Sequence, residues 1–406
     1  MQSPMLTIQY LEDSPDLTQL DQKLVVNKLR AAAERLPFTH LLVGWHVPLP
    51  LLEACRMEAE RLGMRFLRWQ PLLTTNKDFQ SDPTWQTEGL MGGKVAGYRD
   101  IPEFTFFCPN HPAVQDAIYR HLGKLIRQGI YQGFFLDRVR FPSPSTDPIN
   151  SLACFCEHCQ RKAAEYDIDL EGIRQEILRS TLEQEGRISL VKTLLTGKPK
   201  LEQAEQSPRL GQFLTFRKRS VRDFLALISQ PLSEAHLEIG LDYYSPNLTH
   251  MVGQDLNTMS ECVDWIKLMT YAHTLAPAGI PFELSGLLYY LTRSTHLSEE
   301  LALELMGQAI GLTLPTSFRS LEEVGLSPLA LEEEVKSGVD ACSVPAVAGV
   351  EMVELEGVTR LIPDQIRRDL TAIKRAGPAG LAISWDLLHI PLDRLDLVRQ
   401  VYLGKI

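Results

Sequence analysis

The stretch HPAVQDAIYRHLGKLIRQGIYQGFFLDRVRFPSP, residues 111–144, contains one complete unit of the fold. Its first half has apolar residues at helical spacing and ends at Gly129, because glycine readily adopts the left-handed backbone that closes a helix. An apolar strand, GFFL, follows and ends at Asp137. The same order of helix, glycine and apolar strand recurs around Gly63 and Gly377. The sequence therefore predicts an α/β protein in which helices and strands alternate.

Eight apolar segments have the character of strands. They are residues 5–11, 38–47, 64–74, 131–139, 237–245, 263–271, 343–355 and 380–388. Each is followed by a helix or by a connection that contains one, which is the pattern of a (β/α)8 TIM barrel. A doubly wound open sheet is the alternative, but it needs a glycine-rich turn after the first strand, and TIQYLEDSPD (7–16) contains no glycine. We therefore predict a TIM barrel.

The domain organisation that we expect is a single barrel, residues 1–406, with two long insertions. Residues 75–110 follow the third strand and are rich in Gly, Asp and Trp without helical spacing. Residues 140–236 follow the fourth strand and contain a Pro/Ser turn, a cysteine cluster and a charged helical segment. Both insertions leave the carboxyl ends of strands, where barrel proteins carry their functional sites. Long loops there commonly form lids or walls of a substrate site.

Composition and charge limit the classes of partner. The chain has 406 residues, of which 44% are hydrophobic and 23% charged, as in an ordinary globular protein. With 41 Lys and Arg against 51 Asp and Glu, the net charge of −10 argues against nucleic acid and favours a small or neutral ligand. The partner that we expect is a small molecule or an oligosaccharide. No apolar run approaches the ~18 residues of a membrane span, and the first residues lack a signal-peptide pattern. We expect a cytoplasmic protein without a membrane partner, and a homo-oligomer is an open alternative.

Four of the seven cysteines form the pattern of a metal site. Cys154, Cys156 and Cys159 make a C-x-C-x-x-C motif, and thiolates at this spacing can converge on one ion. Cys108 is the natural fourth ligand, and the histidines of CPNHP and CEHC are its competitors. Because no coordination position is left open for water, we predict a structural zinc that ties the two insertions together. The alternative is a group of small buried residues at the start of a helix.

These cysteines and their neighbours resemble a known family. The order of CPNHP (108–112), a carboxylate at the end of strand four and CFCEHC (154–159) resembles the zinc-cluster layout of the glycoside hydrolase family 42 β-galactosidases. Elsewhere the chain is similar to a broader, uncharacterised set of barrel glycoside hydrolases. The segments that carry this similarity are residues 133–144, 247–256 and 263–284. The resemblance implies the barrel fold and glycoside hydrolysis without naming a sugar.

The resemblance also implies roles for two carboxylates. The β-galactosidase family ends strand four with an Asn-Glu pair whose Glu is the acid/base catalyst, whereas this chain has Leu136 and Asp137 there. The family carries its nucleophile on strand seven, where Glu351 is the candidate. If this chain follows the family, Asp137 is the acid/base and the anomeric configuration is retained. Other barrel hydrolases carry the nucleophile on strand four, which would exchange the two roles.

The residues alone lead to similar candidates, because glycoside hydrolysis needs one protonated and one ionised carboxyl group on either side of the bond. Asp137 is the strongest, since it ends an apolar run that a buried strand tolerates only with a partner or a function. Glu351 on strand seven and Asp242 on strand five are the next candidates. The structural alternatives are an ion pair of Asp137 with Arg138 or Arg140 and a surface position for Glu351.

Lys267 lies within the sixth predicted strand, where a lysine is unusual. Strand alternation puts it on the same face as Tyr271, and a lysine inside a barrel needs a carboxylate partner such as Asp242 or Asp137. The alternative is that this face is the helix side and that the ammonium group reaches solvent.

Aromatic and polar residues near the strand ends form the predicted substrate-binding set, because pyranose rings pack their C–H faces on aromatic planes. The set is Trp45, His46, Arg68, Trp69, Arg138, Tyr244, Lys267, Tyr271, Glu283, Trp385 and Asp386. Singly, each is more often a core residue than a ligand contact, so the prediction depends on the set.

We therefore predict a glycoside hydrolase-like protein that acts on a sugar by a two-carboxylate mechanism and carries a structural zinc. One alternative is a non-catalytic carbohydrate-binding barrel. The other is a class I aldolase or lyase in which Lys267 forms a Schiff base.

Overall fold

The computed structural model describes residues 3–12, 21–75, 82–197, 208–359 and 361–405. Eight parallel strands within these ranges close into a barrel, in which each strand pairs with the next along the chain and the last pairs with the first. The prediction of a (β/α)8 TIM barrel is therefore confirmed.

The strands and helices alternate as the sequence predicts. The strands are β1 Met5–Tyr10, β2 His40–Val43, β3 Arg65–Pro71, β4 Gly133–Asp137, β5 Glu238–Tyr243, β6 Trp265–Leu268, β7 Ala346–Glu351 and β8 Gly380–Ser384. The first seven helices are α1 Gln22–Ala33, α2 Leu49–Arg61, α3 Pro112–Gln128, α4 Glu157–Ala164, α5 Leu170–Ser180, α6 Gln184–Thr196 and α7 Pro208–Glu234. The others are α8 Leu256–Met259, α9 Ile280–Ser294, α10 Glu299–Ile310, α11 Phe318–Val324, α12 Pro328–Ala341, α13 Pro363–Ala376 and α14 Leu392–Val401. Among these described helices, none combines the length and the apolar character that a bilayer span requires.

The glycines that the sequence places at helix ends have the expected backbone conformation. Gly63, Gly129 and Gly377 follow α2, α3 and α13 with φ of 71°, 65° and 73°, respectively. Residues with a Cβ atom rarely adopt this left-handed conformation, so these glycines close the helices at little energetic cost.

Alternation along the strands separates an inner core from an outer one. Residues that point to the barrel axis form the inner cluster, and those that point outward pack under the helices. The inner cluster consists of Leu42, Trp45, Leu67, Trp69, Phe135, Trp265, Val347 and Ala382. Phe135 and Trp265 stack with ring centroids 5.3 Å apart, and a Cβ atom on Gly240 would lie 2.4 Å from the Trp265 ring. Large side chains therefore fill the interior of the barrel.

The hydrogen-bonded strands are shorter than the predicted ones. The predicted strand 38–47 pairs over His40–Val43, and the predicted strand 343–355 pairs over Ala346–Glu351. Trp45 and Val47 after β2, and Met352 and Val353 after β7, stay buried although they leave the ladder, so apolar character continues into the loops. Hydrophobicity alone therefore does not mark where a strand ends.

The connections after β3 and β4 contact each other. The first contains three short 3-10 turns, and the second contains α4 to α7. Gly89 of the first pairs with Ala153 of the second, and a Cβ atom on Gly89 would lie 2.1 Å from the Asn150 carbonyl oxygen. Within the predicted insertions, residues 76–81 and 198–207 lie outside the described part of the chain.

Candidate functional site

Asp137 is the last residue of β4 and lies at the carboxyl end of the barrel, with 5% of its surface exposed. It points to the barrel axis, because Phe135, two residues before it, belongs to the inner cluster. The Trp69 indole N–H donates to its Oδ2 at 3.2 Å, and the Arg138 backbone N–H donates to its Oδ1 at 2.6 Å. Two neutral donors thus hold the carboxylate in place.

Arg138 adds a positive charge beside this carboxylate, with its Nε 3.8 Å from Asp137 Oδ2. Its backbone has a φ of 55°, a left-handed conformation that is uncommon for a residue with a side chain. The guanidinium carbon lies 5.5 Å from the ring centre of Trp45 and 5.2 Å from that of Phe104. The Arg138 Nη1 also donates to Thr74 Oγ1 at 3.1 Å. The side chain is therefore fixed on several sides.

Asp242 of β5 forms a buried ion pair with Lys267 of β6, with 3.1 Å between Oδ2 and Nζ. Both side chains are at most 4% exposed. Lys267 Nζ also donates to Gln9 Oε1 at 3.2 Å, and Gln9 accepts a second bond from Ser384 Oγ at 2.8 Å. Lys267 therefore points into the barrel, on the same face as Trp265, and the alternative of a helix-side lysine is excluded.

The two aspartates influence each other electrostatically. The pKa of Asp242 is raised to about 7, chiefly by burial; the positive charge of Lys267 opposes this shift and the negative charge of Asp137 adds to it. Burial alone would lower the pKa of Lys267, but the charge of Asp242 outweighs burial and the pKa is raised. The lysine therefore keeps its proton, and Asp242 exchanges a proton near neutral pH.

Several polar atoms around these acids have no hydrogen-bond partner within the described part of the chain. Buried polar atoms are normally paired, so a group of them at one place is a binding-site signal. They are Gln9 Nε2, Trp45 Nε1, Arg140 Nε and Asp242 Oδ1. Three of the four are N–H donors, which suit the oxygen atoms of a polar ligand.

Glu351 lies in a different group from the two aspartates. Its Oε1 accepts a 2.6 Å bond from the backbone N–H of His273, and His273 Nε2 is 2.8 Å from Asp369 Oδ2 of α13. Burial raises the pKa of Glu351 to about 7, and the charge of His273 opposes this shift. The group lies against residues of α12 and α13 around a cavity of only about 20 Å³. The structure thus brings Asp137 and Asp242 together and places Glu351 against helices.

Most of the predicted aromatic residues are packed rather than open. Trp45 and Trp69 are 5% and 6% exposed and contact each other edge to face, with centroids 5.5 Å apart. Tyr244 is fully buried, while Tyr271 lies 5.7 Å from the ring of the partly exposed Trp385. These rings line the end of the barrel, but their stacking faces are largely covered by protein.

The remaining predicted substrate contacts have protein partners. Arg68 donates to Gln70, Tyr131 and the Trp45 carbonyl, and strand alternation places it on the helix side of β3. His46 lies edge-on to Trp45. Two buried carboxylates join segments of the carboxyl face. Glu283 accepts bonds from Ser143, Ser145 and the Ala278 N–H, and Asp386 accepts one from the Leu11 N–H.

A cleft of about 370 Å³ opens at the same end of the barrel. It lies between the loops that follow β3, β4 and β6, and its size is within the range of small-ligand sites. Its walls include Lys94, Tyr98, Arg99, Arg140, Phe282 and Glu283. Arg140 connects the cleft to the acids, because its charge acts on Asp242.

The four cysteines of the predicted metal site lie together. The sulfur atoms of Cys108, Cys154, Cys156 and Cys159 are all within 4.8 Å of one another, and all four residues are buried. Cys108 Sγ is 3.4 Å from Cys159 Sγ and 3.6 Å from Cys156 Sγ. In a tetrahedral thiolate site with Zn–S bonds of about 2.3 Å, the sulfurs lie about 3.8 Å apart. The donor set and its spacing therefore fit a metal ion.

N–H donors and a buried cation surround these sulfurs. The Glu88 backbone N–H donates to Cys154 Sγ and the Asn110 amide donates to Cys159 Sγ, each at 3.3 Å. Arg217 of α7 is completely buried, and its Nη1 donates to the Met251 carbonyl at 2.7 Å. Burial lowers the pKa of Arg217 to about 9, and negative charge on Cys154 opposes that shift. These donors and the cation favour negative charge on the sulfurs, whereas burial raises the pKa of the Cys108 and Cys159 thiols.

Sequence reasoning missed two residues of these sites, Gln9 and Arg217, and named Arg140 only as an ion-pair partner of Asp137. Gln9 has the inward alternation of β1, and Arg140 stands two positions after Arg138, so both left a signal in the sequence. Arg217 left none, since it lies in the charged run RKRSVR (217–222), which is typical of a solvent-facing helix.

Comparisons with known proteins support the fold. The chain matches no known family profile and no curated protein sequence. Many solved structures are similar to it. The PgaB (BpsB) glycoside hydrolase domain from Bordetella bronchiseptica is 12% identical, with a TM-score of 0.55, over 98% of this chain and 99% of that one.

Two further structures come from other glycoside hydrolases. A β-galactosidase from the psychrophilic Marinomonas ef1 is 11% identical, with a TM-score of 0.54, over 98% of this chain and 59% of that one. A class V chitinase from Pseudomonas fluorescens Pf-5 is 10% identical, with a TM-score of 0.51, over 99% of this chain and 100% of that one. At these identities the similarity establishes the fold, so the chain has the barrel that these glycoside hydrolases share.

Proposed function

We propose that the chain is a glycoside hydrolase in which Asp137 and Asp242 act on either side of the scissile bond. The observation that carries this proposal is the placement of two buried carboxylates on neighbouring strands, where the charge of one acts on the other. A cleft of sufficient size for a sugar lies at the same end of the barrel. The donors without partners beside the acids suit sugar hydroxyl groups.

The environments of the two acids favour different roles. Asp242 has a pKa of about 7, caused chiefly by burial, so it can hold a proton near neutral pH and deliver it to the leaving group. Asp137 is surrounded by the N–H groups of Trp69 and Arg138, which stabilise a negative charge. We therefore assign Asp137 as nucleophile or base and Asp242 as acid. Glu351 is then left outside the catalytic pair.

The charge state of Lys267 supports hydrolysis over the aldolase alternative. A Schiff base requires a neutral amine, and neighbouring charges such as that of Asp242 leave the pKa of Lys267 raised despite its burial. Lys267 is better placed to position Asp242 and to balance its charge.

The test is a comparison of Asp137→Asn and Asp242→Asn with the unmodified protein on a panel of aryl glycosides. We expect each variant to lose about 10²- to 10⁴-fold in kcat/KM on any glycoside that the protein cleaves. Asp340→Asn, on the exposed surface of α12, is the matched control. Unchanged turnover in both site variants would remove the assignment. Saturable sugar binding without any hydrolysis would instead support the non-catalytic binding barrel.

We also infer that Cys108, Cys154, Cys156 and Cys159 hold a structural zinc ion. Four thiolates are a common ligand set for structural zinc and leave no coordination position for a substrate. When bound, the ion would supply a rigid cross-link between the connections after β3 and β4. Free cysteines are compatible with a reducing compartment such as the cytoplasm.

Metal analysis tests this inference directly. We expect one zinc per chain after purification under reducing conditions, and the d–d absorption of a tetrahedral tetrathiolate after cobalt exchange. Cys156→Ser should weaken metal binding and lower the Tm, whereas Cys262→Ser, outside the cluster, should change neither. A metal-free chain whose Tm is insensitive to chelator would contradict the inference.

A further inference from the structure

The cleft at the end of the barrel carries more positive than negative groups that can reach a ligand. Its basic residues are Lys94, Arg99 and Arg140, and its acidic residues are Asp147 and Glu283. Because the numbers of basic and acidic residues are nearly equal, the net effect on a charged ligand depends on which of these groups are already bonded within the protein.

Both acidic side chains are occupied by bonds within the protein. Asp147 Oδ1 accepts the backbone N–H groups of Ile149 and Asn150 at 3.2 and 3.0 Å, and its Oδ2 accepts the Asn150 amide at 2.6 Å. The Glu283 carboxylate takes bonds from two serine hydroxyls, and the Ala278 N–H reaches its Oε1 at 2.9 Å. These bonds hold the carboxylates in turns around the cleft but do not remove their charge, so the three basic residues leave the cleft with a formal charge of +1.

Arg140 is in the opposite situation. It is 5% exposed and lines the cleft, with its guanidinium carbon 4.6 Å from the ring centre of Phe106 and 4.9 Å from that of Tyr244. The two rings fix the plane of the guanidinium. Its Nη1 donates to the Phe141 carbonyl at 3.2 Å, but its buried Nε–H has no partner among the described residues. This Nε is covered by protein, so a ligand in the cleft meets the guanidinium group as a whole, and a negative charge there would compensate the buried positive charge.

The charged residues deeper in the barrel do not cancel the positive charge of Arg140. Lys267 and Arg138 already accompany Asp242 and Asp137, respectively. Moreover, the proposed mechanism needs Asp242 protonated, which leaves this part of the barrel with one more positive charge than negative.

We propose that the cleft binds a saccharide carrying a negative group, a carboxylate or a sulfate ester, which pairs with the Arg140 guanidinium. This proposal rests on the proposed function and names its substrate class. Arg99 and Lys94, both exposed at the rim, add long-range attraction, while Tyr98 and Phe282, edge to face with centroids 5.1 Å apart, form an apolar wall for a sugar ring.

The test measures binding, so that it does not depend on hydrolysis. Calorimetry with the Asp137→Asn variant would use three tetrasaccharides: tetragalacturonate, a carrageenan tetrasaccharide, which carries sulfate esters and no carboxylate, and neutral galactotetraose. We expect at least one acidic tetrasaccharide to bind at least tenfold more tightly than the neutral one, and the two acidic arms tell carboxylate from sulfate. Arg140→Gln should weaken binding of the preferred acidic tetrasaccharide by about 10- to 100-fold, the loss expected for a hydrogen bond to a charged group.

Two further variants separate recognition from folding. Arg140→Lys keeps the charge but loses the planar guanidinium, so it should retain the melting temperature and part of the preference for acidic ligands. Arg319→Gln, on an exposed pair of α11, should leave binding unchanged. Equal or tighter binding of galactotetraose, or equal weakening of all three ligands by Arg140→Gln, would overturn the proposal. Acid-selective binding without any glycoside cleavage by the unmodified protein would uphold it while refuting the hydrolase assignment.

Discussion

The Asp242–Lys267 pair and the Glu351–His273 group share several properties, yet they occupy different surroundings. Each contains a carboxyl group whose pKa burial raises to about 7, and each has a basic neighbour. Asp242 lies beside Asp137 and unpaired donors, one of them on Arg140 of the cleft wall, whereas Glu351 lies against helices around a cavity of about 20 Å³. A shifted pKa therefore identifies burial, and only the neighbouring donors and open space identify a site for chemistry.

The largest expected difference between the two groups is in catalysis. Asp242→Asn should lower kcat/KM by about 10²- to 10⁴-fold, because the acid that protonates the leaving group is lost. Glu351→Gln should change kcat/KM by less than about tenfold, since Glu351 bonds to the His273 N–H rather than to the catalytic pair. Steady-state kinetics on a cleaved glycoside measure both. Equal losses in the two variants would bring Glu351 back as the catalytic partner of Asp137.

The next largest effect concerns the charge balance of the first group. Lys267→Met leaves Asp242 buried without its counter-charge, and we expect a loss of about 3 kcal/mol in the free energy of unfolding at pH 8. The loss should be smaller at pH 5, where Asp242 is protonated. Urea unfolding at both pH values measures it. Lys336→Met, which breaks the exposed pair with Asp340, is the control and should cost under about 0.5 kcal/mol. A loss of that small size for Lys267→Met would contradict the buried ion pair.

A smaller effect is expected from the pH dependence of the second group. Because the folded pKa of Glu351 lies above the unfolded value of about 4.3, the folded chain binds more protons, and stability falls as the pH rises from about 4 to 7. Glu351→Gln removes this titration, so the stability difference between pH 5 and pH 8 should shrink by on the order of 2 kcal/mol. Denaturant unfolding at the two pH values checks this. The exposed Glu354→Gln should leave the difference unchanged, and an unaltered pH dependence in Glu351→Gln would show that Glu351 is not buried as an acid.

The smallest effect tests a neutral contact of the first group. Ser384→Ala removes the 2.8 Å bond to Gln9 Oε1, which still accepts from Lys267. The free energy of unfolding should fall by about 1 kcal/mol, the usual contribution of such a bond. The shift in thermal or urea midpoint measures it. A loss as large as that of Lys267→Met would mean that Ser384, rather than Lys267, holds Gln9 in place.

The sequence was sufficient for the barrel and for much of the first group. Gly129 predicted the end of a helix, and the apolar run before Asp137 predicted a strand. Strand alternation allowed Lys267 to face the barrel axis. The position of Glu351 could not be predicted, because its partner His273 comes from a loop 78 positions away. Likewise, the sequence predicted that Trp45 and Trp69 would contact a sugar, whereas in the closed barrel they pack against each other.

The cysteine cluster has a further consequence for the unfolded chain. Cys108 and Cys156 are 48 positions apart, and the segment between them includes α3 and β4, the strand that ends at Asp137. A metal ion held by these thiolates in the unfolded state would close this segment into a loop. In the chain-entropy description of a covalent cross-link, closing a loop of this length lowers the conformational entropy of the unfolded ensemble, which corresponds to about 4 kcal/mol of free energy at 25 °C. Metal supply would then set how readily the segment bearing Asp137 finds its place during folding.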